Sequence, residues 1–150
     1  MKNKIAIAEI GLNHLGSEVL AKKYISYLCK TKIDGISFQI KKKIFYKDYK
    51  LAFLKKNKNF YKNFREKKFY LNSFKNKNFK SLELSNKFYK YAIKKCKDNN
   101  KLIGFALQDV TKINFFNSQK IDFYKILNED IANEQLLEKI SLNKDVLKFI

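Results

Sequence analysis

The sequence contains no proline and no tryptophan, and it has only four glycines, two cysteines and one histidine. No apolar run approaches the roughly 20 residues that a membrane-spanning helix needs, so no span is predicted. Glu9 interrupts the one N-terminal stretch that could imitate a signal peptide, and we therefore expect a cytoplasmic protein. Cys29 and Cys96 belong to no CxxC motif or Cys/His cluster, which favours buried reduced thiols over a disulfide or a metal site.

Arginine is also nearly absent, and this limits what the positive charge means. The formal net charge is +19, a balance typical of proteins that bind nucleic acid. Of the 33 basic residues, however, only Arg65 is an arginine, the residue that most often reads phosphates and bases. Abundant lysine, asparagine, isoleucine, phenylalanine and tyrosine without proline is the composition of an AT-rich coding sequence. We therefore favour compositional bias over selected nucleic-acid binding.

The positive charge is concentrated in residues 41–80, a stretch rich in lysine and aromatic residues in which Asp48 and Glu66 are the only acids. Its aromatic residues recur irregularly, which predicts short helical turns and an extended loop. The interpretation we favour is an insertion with solvated lysines. The alternative is a surface that binds single-stranded nucleic acid, with lysines on the backbone and rings on the bases. No RNA-binding motif supports that alternative.

Strand and helix patterns alternate along the rest of the chain. The apolar residues 5–8 predict a buried strand that ends at Glu9, and residues 36–40 predict a second strand. Between them, Ser17 is placed to cap an amphipathic helix over residues 18–32. Later residues predict a helix capped by Ser85, a strand over 102–107, a short helix capped by Thr111, a strand over 121–127, a helix over 131–141 and a strand over 146–150. This alternation predicts a parallel sheet.

The length predicts one domain, residues 1–150, and the alternation of strand and helix patterns predicts about four and a half β/α units within it. A closed (β/α)8 barrel typically needs about 250 residues. A partial barrel would expose strand edges, so a second half-barrel chain or a homodimer could complete it. A decayed or truncated gene product is a further interpretation, and a self-contained doubly wound sheet of five strands is the alternative architecture.

Residues 8–17, AEIGLNHLGS, are followed by a helix pattern, Asp34-Gly35 and the strand pattern ISFQI. This arrangement resembles the N-terminal barrel of the sialic acid synthases, whose pattern reads roughly A-E-I-G-x-N-H-N-G and then K-F-Q. Residues 82–105 and 121–140 match further segments of that family in the same order. The resemblance implies a partial TIM-type barrel. It also implies condensation of phosphoenolpyruvate with N-acetylmannosamine or a related N-acetylated hexosamine, giving a nonulosonic acid for surface glycans, with a divalent metal, manganese or magnesium.

The resemblance also assigns roles to individual residues. Glu9 would hydrogen-bond the hydroxyls of the amino sugar, Gln39 would contact the same sugar, and Lys125 would hold the phosphate or carboxylate of phosphoenolpyruvate. Glu9 and Lys125 are thus the predicted catalytic residues. The predicted substrate-binding residues are Asn13, His14, Gln39, Asn128 and Asp130. Asn13 and His14 match the motif's turn, and we expect them mainly to shape that loop.

Three departures separate this sequence from the family pattern. The family's lysine before Phe-Gln is Ser37 here, and its Ser-Thr-Pro-Phe-Asp loop is contracted to residues 106–109. Its Ala-Ser-x-Glu segment loses the serine and keeps a carboxylate at Asp130. We also expect no metal ligands in this chain, because the family's two metal-binding histidines lie beyond the matching segments. The chain alone is therefore expected to be weak or inactive. The alternatives are an inactive or partner-dependent half-barrel that only binds sugar, and a lysine-rich nucleic-acid-binding protein.

Overall fold

The computed structural model describes residues 4–41 and 83–149, which form one parallel sheet covered by helices. Its five strands are β1 (Ile7–Gly11), β2 (Gly35–Ile40), β3 (Leu102–Leu107), β4 (Phe123–Lys125) and β5 (Leu147–Phe149), and they lie in the order β1-β2-β3-β4-β5. A doubly wound sheet reverses its strand order, whereas consecutive barrel strands stay in sequence. The α/β class and the parallel sheet are confirmed, and the strand order is that of a barrel. Barrel closure and the number of units stay predictions.

The described helices are α1 (Glu18–Leu28), α2 (Asn86–Lys97), α3 (Ile113–Asn117) and α4 (Glu134–Ser141), with short 3-10 turns at Val110–Lys112 and Asn128–Asp130. Two of the predicted caps are confirmed. The Ser17 hydroxyl accepts the Leu20 N–H at 3.2 Å, and the Ser85 hydroxyl accepts the Phe88 N–H at 3.1 Å. Each cap satisfies a backbone donor that the first helical turn leaves unpaired. No helix within residues 4–41 and 83–149 has the length and apolar character of a bilayer span.

The first strand was predicted to end at Glu9, but β1 continues past this residue to Gly11. Glu9 pairs with Ser37 of β2, and the register shifts only between Glu9 and Gly11. Backbone pairing does not depend on side-chain polarity, so a carboxylate that reaches polar partners does not interrupt the ladder. The apolar run therefore marks the start of the strand and not its end.

Two other boundaries differ from the predicted ones. Asp109, and not Thr111, caps the turn after β3, where its Oδ1 accepts the Thr111 N–H at 3.0 Å. Asn133 caps α4, where its side chain accepts the Leu136 N–H at 3.3 Å, so this helix begins at Glu134 instead of residue 131. The fourth strand is shorter than predicted, with only Phe123–Lys125 in the sheet. The predicted insertion over residues 41–80 lies, apart from Lys41, outside the described residues.

The helices pack on one face of the sheet, which we call the helix face. The Phe105 ring lies 4.3 Å from the Phe116 ring of α3 and 5.7 Å from the Tyr89 ring of α2. Fully buried residues from β2 and β3 share this face, namely Ile36, Phe38, Ile40, Ile103, Phe105 and Leu107. Because side chains alternate along a strand, these positions leave the intervening residues to the opposite face.

The opposite face carries the polar strand residues, and we call it the site face. The register aligns Glu9 with Ser37, Ser37 with Gly104, and Gly104 with Phe123. One step further toward the carboxyl ends of the strands lie Gln39, Ala106 and Lys125. The site face is therefore defined by Glu9, Ser37, Gln39, Gly104, Ala106, Phe123 and Lys125.

The two cysteines belong to the helix layer. Both are free; Cys96 is buried in the core and Cys29 is partly exposed at the end of α1. Burial raises the pKa of the Cys96 thiol to about 12, and the nearby Cys29 adds to the shift. The Cys96 thiol therefore stays protonated at neutral pH.

Candidate functional site

The site is centred on the carboxylate of Glu9. Its Oε2 accepts two hydrogen bonds, from Ser37 Oγ at 2.8 Å and from Lys125 Nζ at 3.0 Å. The second contact is an ion pair in which the Lys125 side chain is 41% exposed and the Glu9 side chain 31% exposed. Ser37 itself is buried. The arrangement is therefore fixed from below by a buried hydroxyl and remains open to solvent above.

The contact between Glu9 and Lys125 reports the shape of the sheet. Glu9 lies on β1 and Lys125 on β4, three strand spacings apart, or about 14 Å in a flat sheet. Side chains stand roughly perpendicular to a sheet, so these two would not meet across that distance if the sheet were flat. The 3.0 Å contact therefore means that the sheet curls toward the site face. The curl concentrates side chains from distant strands, as in the interior of a barrel.

Small residues on β3 leave room for this contact. On the site face, the β3 residues are Gly104 and Ala106. They lie between Ser37 and Gln39 of β2 and the neighbouring residues of β4. The Phe123 ring occupies the space above Gly104, where an added Cβ would lie 2.2 Å from Phe123 Cδ2. The ring thus fills the floor of the site face beside the ion pair.

Gly11 brings Gln39 next to Glu9. Its φ of +55° lies in the left-handed region that favours glycine. A Cβ at Gly11 would lie 3.4 Å from Glu9 Oε1 and 3.7 Å from Gln39 Nε2, so both side chains converge on the surface of this glycine. We refer to Glu9, Ser37, Gln39 and Lys125 as the Glu9 cluster.

The Glu9 cluster offers a set of groups that suits a polar ligand. Glu9 Oε1 accepts no hydrogen bond from the described residues and can accept one from a ligand. Gln39 provides both a donor and an acceptor, and Lys125 provides donors and a positive charge. These groups lie near the carboxyl ends of parallel strands, the edge at which α/β barrels bind their ligands. The predicted residues Glu9, Gln39 and Lys125 are thus brought together.

His14 lies apart from this cluster. It is buried in the turn between β1 and α1, where its Nδ1 accepts the Gly16 N–H at 3.0 Å. Its ring lies 6.1 Å from that of Phe38, a residue of the helix face. Burial lowers the pKa of His14 to about 4, against an opposing contribution from the Gly11 backbone. The ring is therefore neutral at pH 7, with its proton on Nε2, which has no hydrogen-bond partner among the described residues.

The remaining predicted ligand residues occupy neighbouring loops. Asn13 is exposed in the turn after β1, and its backbone N–H donates to the Ile10 carbonyl at 3.0 Å. Asn128 is exposed and Asp130 is buried, both in the 3-10 turn that follows β4. Within residues 4–41 and 83–149, no hydrogen bond joins these three side chains to the Glu9 cluster. Their role in binding substrate stays a prediction.

The described residues do not provide a site for the divalent metal that the resemblance implies. Within residues 4–41 and 83–149, no three His, Cys, Asp or Glu side chains lie together as a metal would require. The carboxylate of Glu9, at the centre of the site, already accepts hydrogen bonds from the Ser37 hydroxyl and the Lys125 ammonium group. No step of the chemistry is therefore assigned to a metal here.

Two members of the site were not recognised from the sequence. Ser37 was noted only as a replacement for a family lysine, yet its hydroxyl is what fixes the Glu9 carboxylate. The packing of Glu9 and Gln39 against Gly11 was likewise not recognised. The alternation of side chains along β2 places Ser37 on the same face as Gln39, and this spacing was the available signal.

The fold is similar to solved structures of carbohydrate-biosynthesis proteins. An N-acetylneuraminic acid (sialic acid) synthetase from Leptospira borgpetersenii, determined in complex with citrate, matches 97% of this chain with a TM-score of 0.66 and 23% identity. A putative spore coat polysaccharide biosynthesis protein E from Chromobacterium violaceum matches 93% with a TM-score of 0.60 and 17% identity. A spore coat polysaccharide biosynthesis protein from Bacillus subtilis matches 91% with a TM-score of 0.59 and 18% identity.

These similarities confirm at the level of fold the resemblance that the sequence motifs indicated. The chain spans 44%, 38% and 33% of the length of the three structures, respectively. No protein-family profile matches the sequence, and no curated protein is significantly similar to it. The shared feature is thus the arrangement of strands and helices.

Proposed function

We propose that the chain is a sialic-acid-synthase-like protein of carbohydrate biosynthesis, and that its Glu9 cluster binds the amino sugar. The observation that carries the proposal is the convergence of Glu9, Gln39 and Lys125 on one curled sheet face, at the edge where the fold binds ligands. The motif residues 8–17 and the similarity in fold to a sialic acid synthetase support it.

The chemistry of the cluster suits the hydroxyl groups of a hexosamine. Each sugar hydroxyl can donate one hydrogen bond and accept others. Glu9 Oε1 would accept from a hydroxyl, and the Gln39 amide would exchange hydrogen bonds with a neighbouring one. A hydrogen bond to a charged acceptor contributes roughly 1.5–3 kcal/mol, so Glu9 is expected to be the main determinant of sugar affinity.

The proposed reaction is the family's condensation of that sugar with phosphoenolpyruvate. Lys125 is the cation of the cluster that could hold the phosphate or carboxylate of phosphoenolpyruvate. It would have to leave Glu9 or share its donors between the two, since its ammonium group carries more than one N–H. The sugar's hydroxyls would then replace Lys125 as partners of Glu9.

Ligand-observed NMR with N-acetylmannosamine tests the sugar site on the full chain. Glu9→Gln keeps the size of the side chain but removes the charged acceptor, so we expect the sugar affinity to fall about tenfold, the equivalent of about 1.4 kcal/mol. Unchanged affinity in this variant, or no transfer of saturation to the sugar in the wild type, would contradict the proposed site.

Glu83→Gln is the matched control. Glu83 forms an ion pair with Lys112 at 2.6 Å, and the two side chains are 26% and 24% exposed. The substitution therefore removes the same charge from a comparably exposed ion pair outside the Glu9 cluster. Sugar affinity should match that of the wild type.

A second candidate function is sugar binding without condensation. It is favoured by the position of Ser37, a neutral residue at the centre of the cluster, and by the engagement of Lys125 with Glu9. Release of inorganic phosphate from phosphoenolpyruvate in the presence of the sugar and manganese separates the two functions. Sugar-dependent release supports the condensation, and sugar binding without release supports the second candidate.

A further inference from the structure

The Glu9 cluster contains one cation and one anion in direct contact. Lys125 Nζ lies 3.0 Å from Glu9 Oε2, and the neighbouring Ser37 and Gln39 carry no charge. The formal charge of the cluster is therefore zero. At the same edge, Lys41 follows β2 and Asp130 follows β4, and both are buried.

This balance disfavours an anionic ligand. An anion that contacts the Lys125 ammonium group would also lie within a few ångströms of the Glu9 carboxylate, and a like charge at that distance opposes binding. Solvent screens this repulsion in part, because both side chains are about one third or more exposed. A hydroxyl group carries no such penalty and can donate directly to the carboxylate.

Ser37 holds the Glu9 carboxylate in its contact with Lys125. Its buried hydroxyl donates to the same Glu9 oxygen that receives Lys125, so Glu9 stays oriented toward the lysine. The carboxylate also lies against Gly11, beside Gln39. Glu9 is thus held in place from two sides before any ligand arrives, and Lys125 meets a preformed partner.

We propose that Glu9 determines the ligand class of the cluster while no sugar is bound, because its contact with Lys125 then makes the cluster select an uncharged polyhydroxylated ligand over an anion. Replacing Glu9 with a neutral side chain converts the cluster into an anion site centred on Lys125. This proposal rests on the sugar site described under Proposed function, and it adds the basis of selectivity and its reversal.

Titration calorimetry with inorganic phosphate tests the reversal on the full chain. We expect Glu9→Gln to bind phosphate at least tenfold more tightly than the wild type, while the same variant loses sugar affinity. The double variant Glu9→Gln/Lys125→Met should lose the gain, since the lysine freed by the first change is gone. Glu83→Gln, which frees Lys112 in the same way, should bind phosphate as the wild type does.

Equal phosphate affinity in the wild type and Glu9→Gln would overturn the proposal, as would an equal gain in Glu83→Gln. If Glu9→Gln does not fold, as judged by circular dichroism, the phosphate affinity of Lys125→Met tests the proposal instead. Phosphate affinity unchanged by Lys125→Met supports the proposal, and a tenfold loss overturns it.

The sugar titration and the phosphate titration test separate claims, so one claim can be contradicted without the other. Absence of N-acetylmannosamine binding in the wild type contradicts the proposed sugar site, and the phosphate series still reports whether Glu9 blocks Lys125. Tight phosphate binding by the wild type contradicts the selectivity and leaves the sugar site standing.

Discussion

The two faces of the same five strands serve different purposes. On the helix face, the alternate residues of β2 and β3 are apolar and fully buried, and the Phe105 ring contacts three other aromatic rings. On the site face, β2 and β3 contribute the polar or small residues Ser37, Gln39, Gly104 and Ala106, and Glu9 and Lys125 remain partly exposed. A side-chain period of two therefore lets one stretch of chain provide stability on one side and chemistry on the other. The comparison predicts that substitutions on the two faces have separable effects.

The largest effect on stability is expected from the helix face. Phe105→Ala removes a fully buried ring that contacts Phe38, Tyr89 and Phe116, and should lower the free energy of unfolding by about 3–5 kcal/mol. Urea denaturation followed by circular dichroism measures this loss. A loss below about 1 kcal/mol would mean that the helix face is not the main source of stability.

His14, in the turn between β1 and α1, makes the stability of the fold sensitive to acid. Its folded-state pKa of about 4 lies below the ordinary value of 6.5, so the unfolded chain takes up the proton first as the pH falls. The neutral His14 ring therefore contributes fully to the free energy of unfolding above about pH 6.5. This contribution, about 3 kcal/mol in total, is lost as the pH falls toward 4.

The urea midpoint measured between pH 7 and pH 4 checks this prediction. The chain has one histidine, so His14→Asn leaves no group of this type and should flatten the pH dependence over the window. Asparagine can still accept the Gly16 N–H from a turn position. The same slope in both proteins would rule out His14 as its source.

Packing also matters on the site face, but less. In Gly104→Ala, the new methyl group would meet the Phe123 ring at 2.2 Å, so the ring would have to move. Overpacking of this kind costs about 1–3 kcal/mol. Thermal unfolding measures the cost, and Ala106→Gly on the same strand and face is the companion variant that adds no volume. No change in melting temperature for Gly104→Ala would show that Phe123 is free to move.

The smallest effect is expected from Ser37→Ala. It removes one of two donors to Glu9 and leaves the ion pair with Lys125 in place. One hydrogen bond contributes about 0.5–1.5 kcal/mol, so the affinity for N-acetylmannosamine should change by a few-fold. Ser26→Ala, on the outer surface of α1, is the control. A loss as large as that of Glu9→Gln would make Ser37, and not Glu9, the main sugar contact.

The sequence was sufficient wherever local signals determine the structure. The strand Leu102–Leu107 was predicted with its observed limits, because an apolar run lies between a polar turn and a polar loop. The Ser17 and Ser85 caps were also predicted, since a capping serine acts within its own first turn.

The sequence was insufficient wherever a distant contact decides. Glu9 lies inside β1 because the strand pairs with β2 through Ser37, a partner 28 residues away. The Lys125 contact depends on the curl of the sheet across four strands, which no local pattern encodes. The family motif identified Glu9, Gln39 and Lys125 individually, but only the strand register shows that Ser37 joins them.

Mapping of backbone amide shifts during titration with N-acetylmannosamine tests the central claim most directly. If the site face binds the sugar, the largest shifts will fall on Glu9, Gly11, Ser37, Gln39 and Lys125, and the helix-face amides of β3 will change little. Shifts confined to the outer surfaces of α1 and α2, or absent at millimolar sugar, would contradict the claim that the Glu9 cluster is a sugar site.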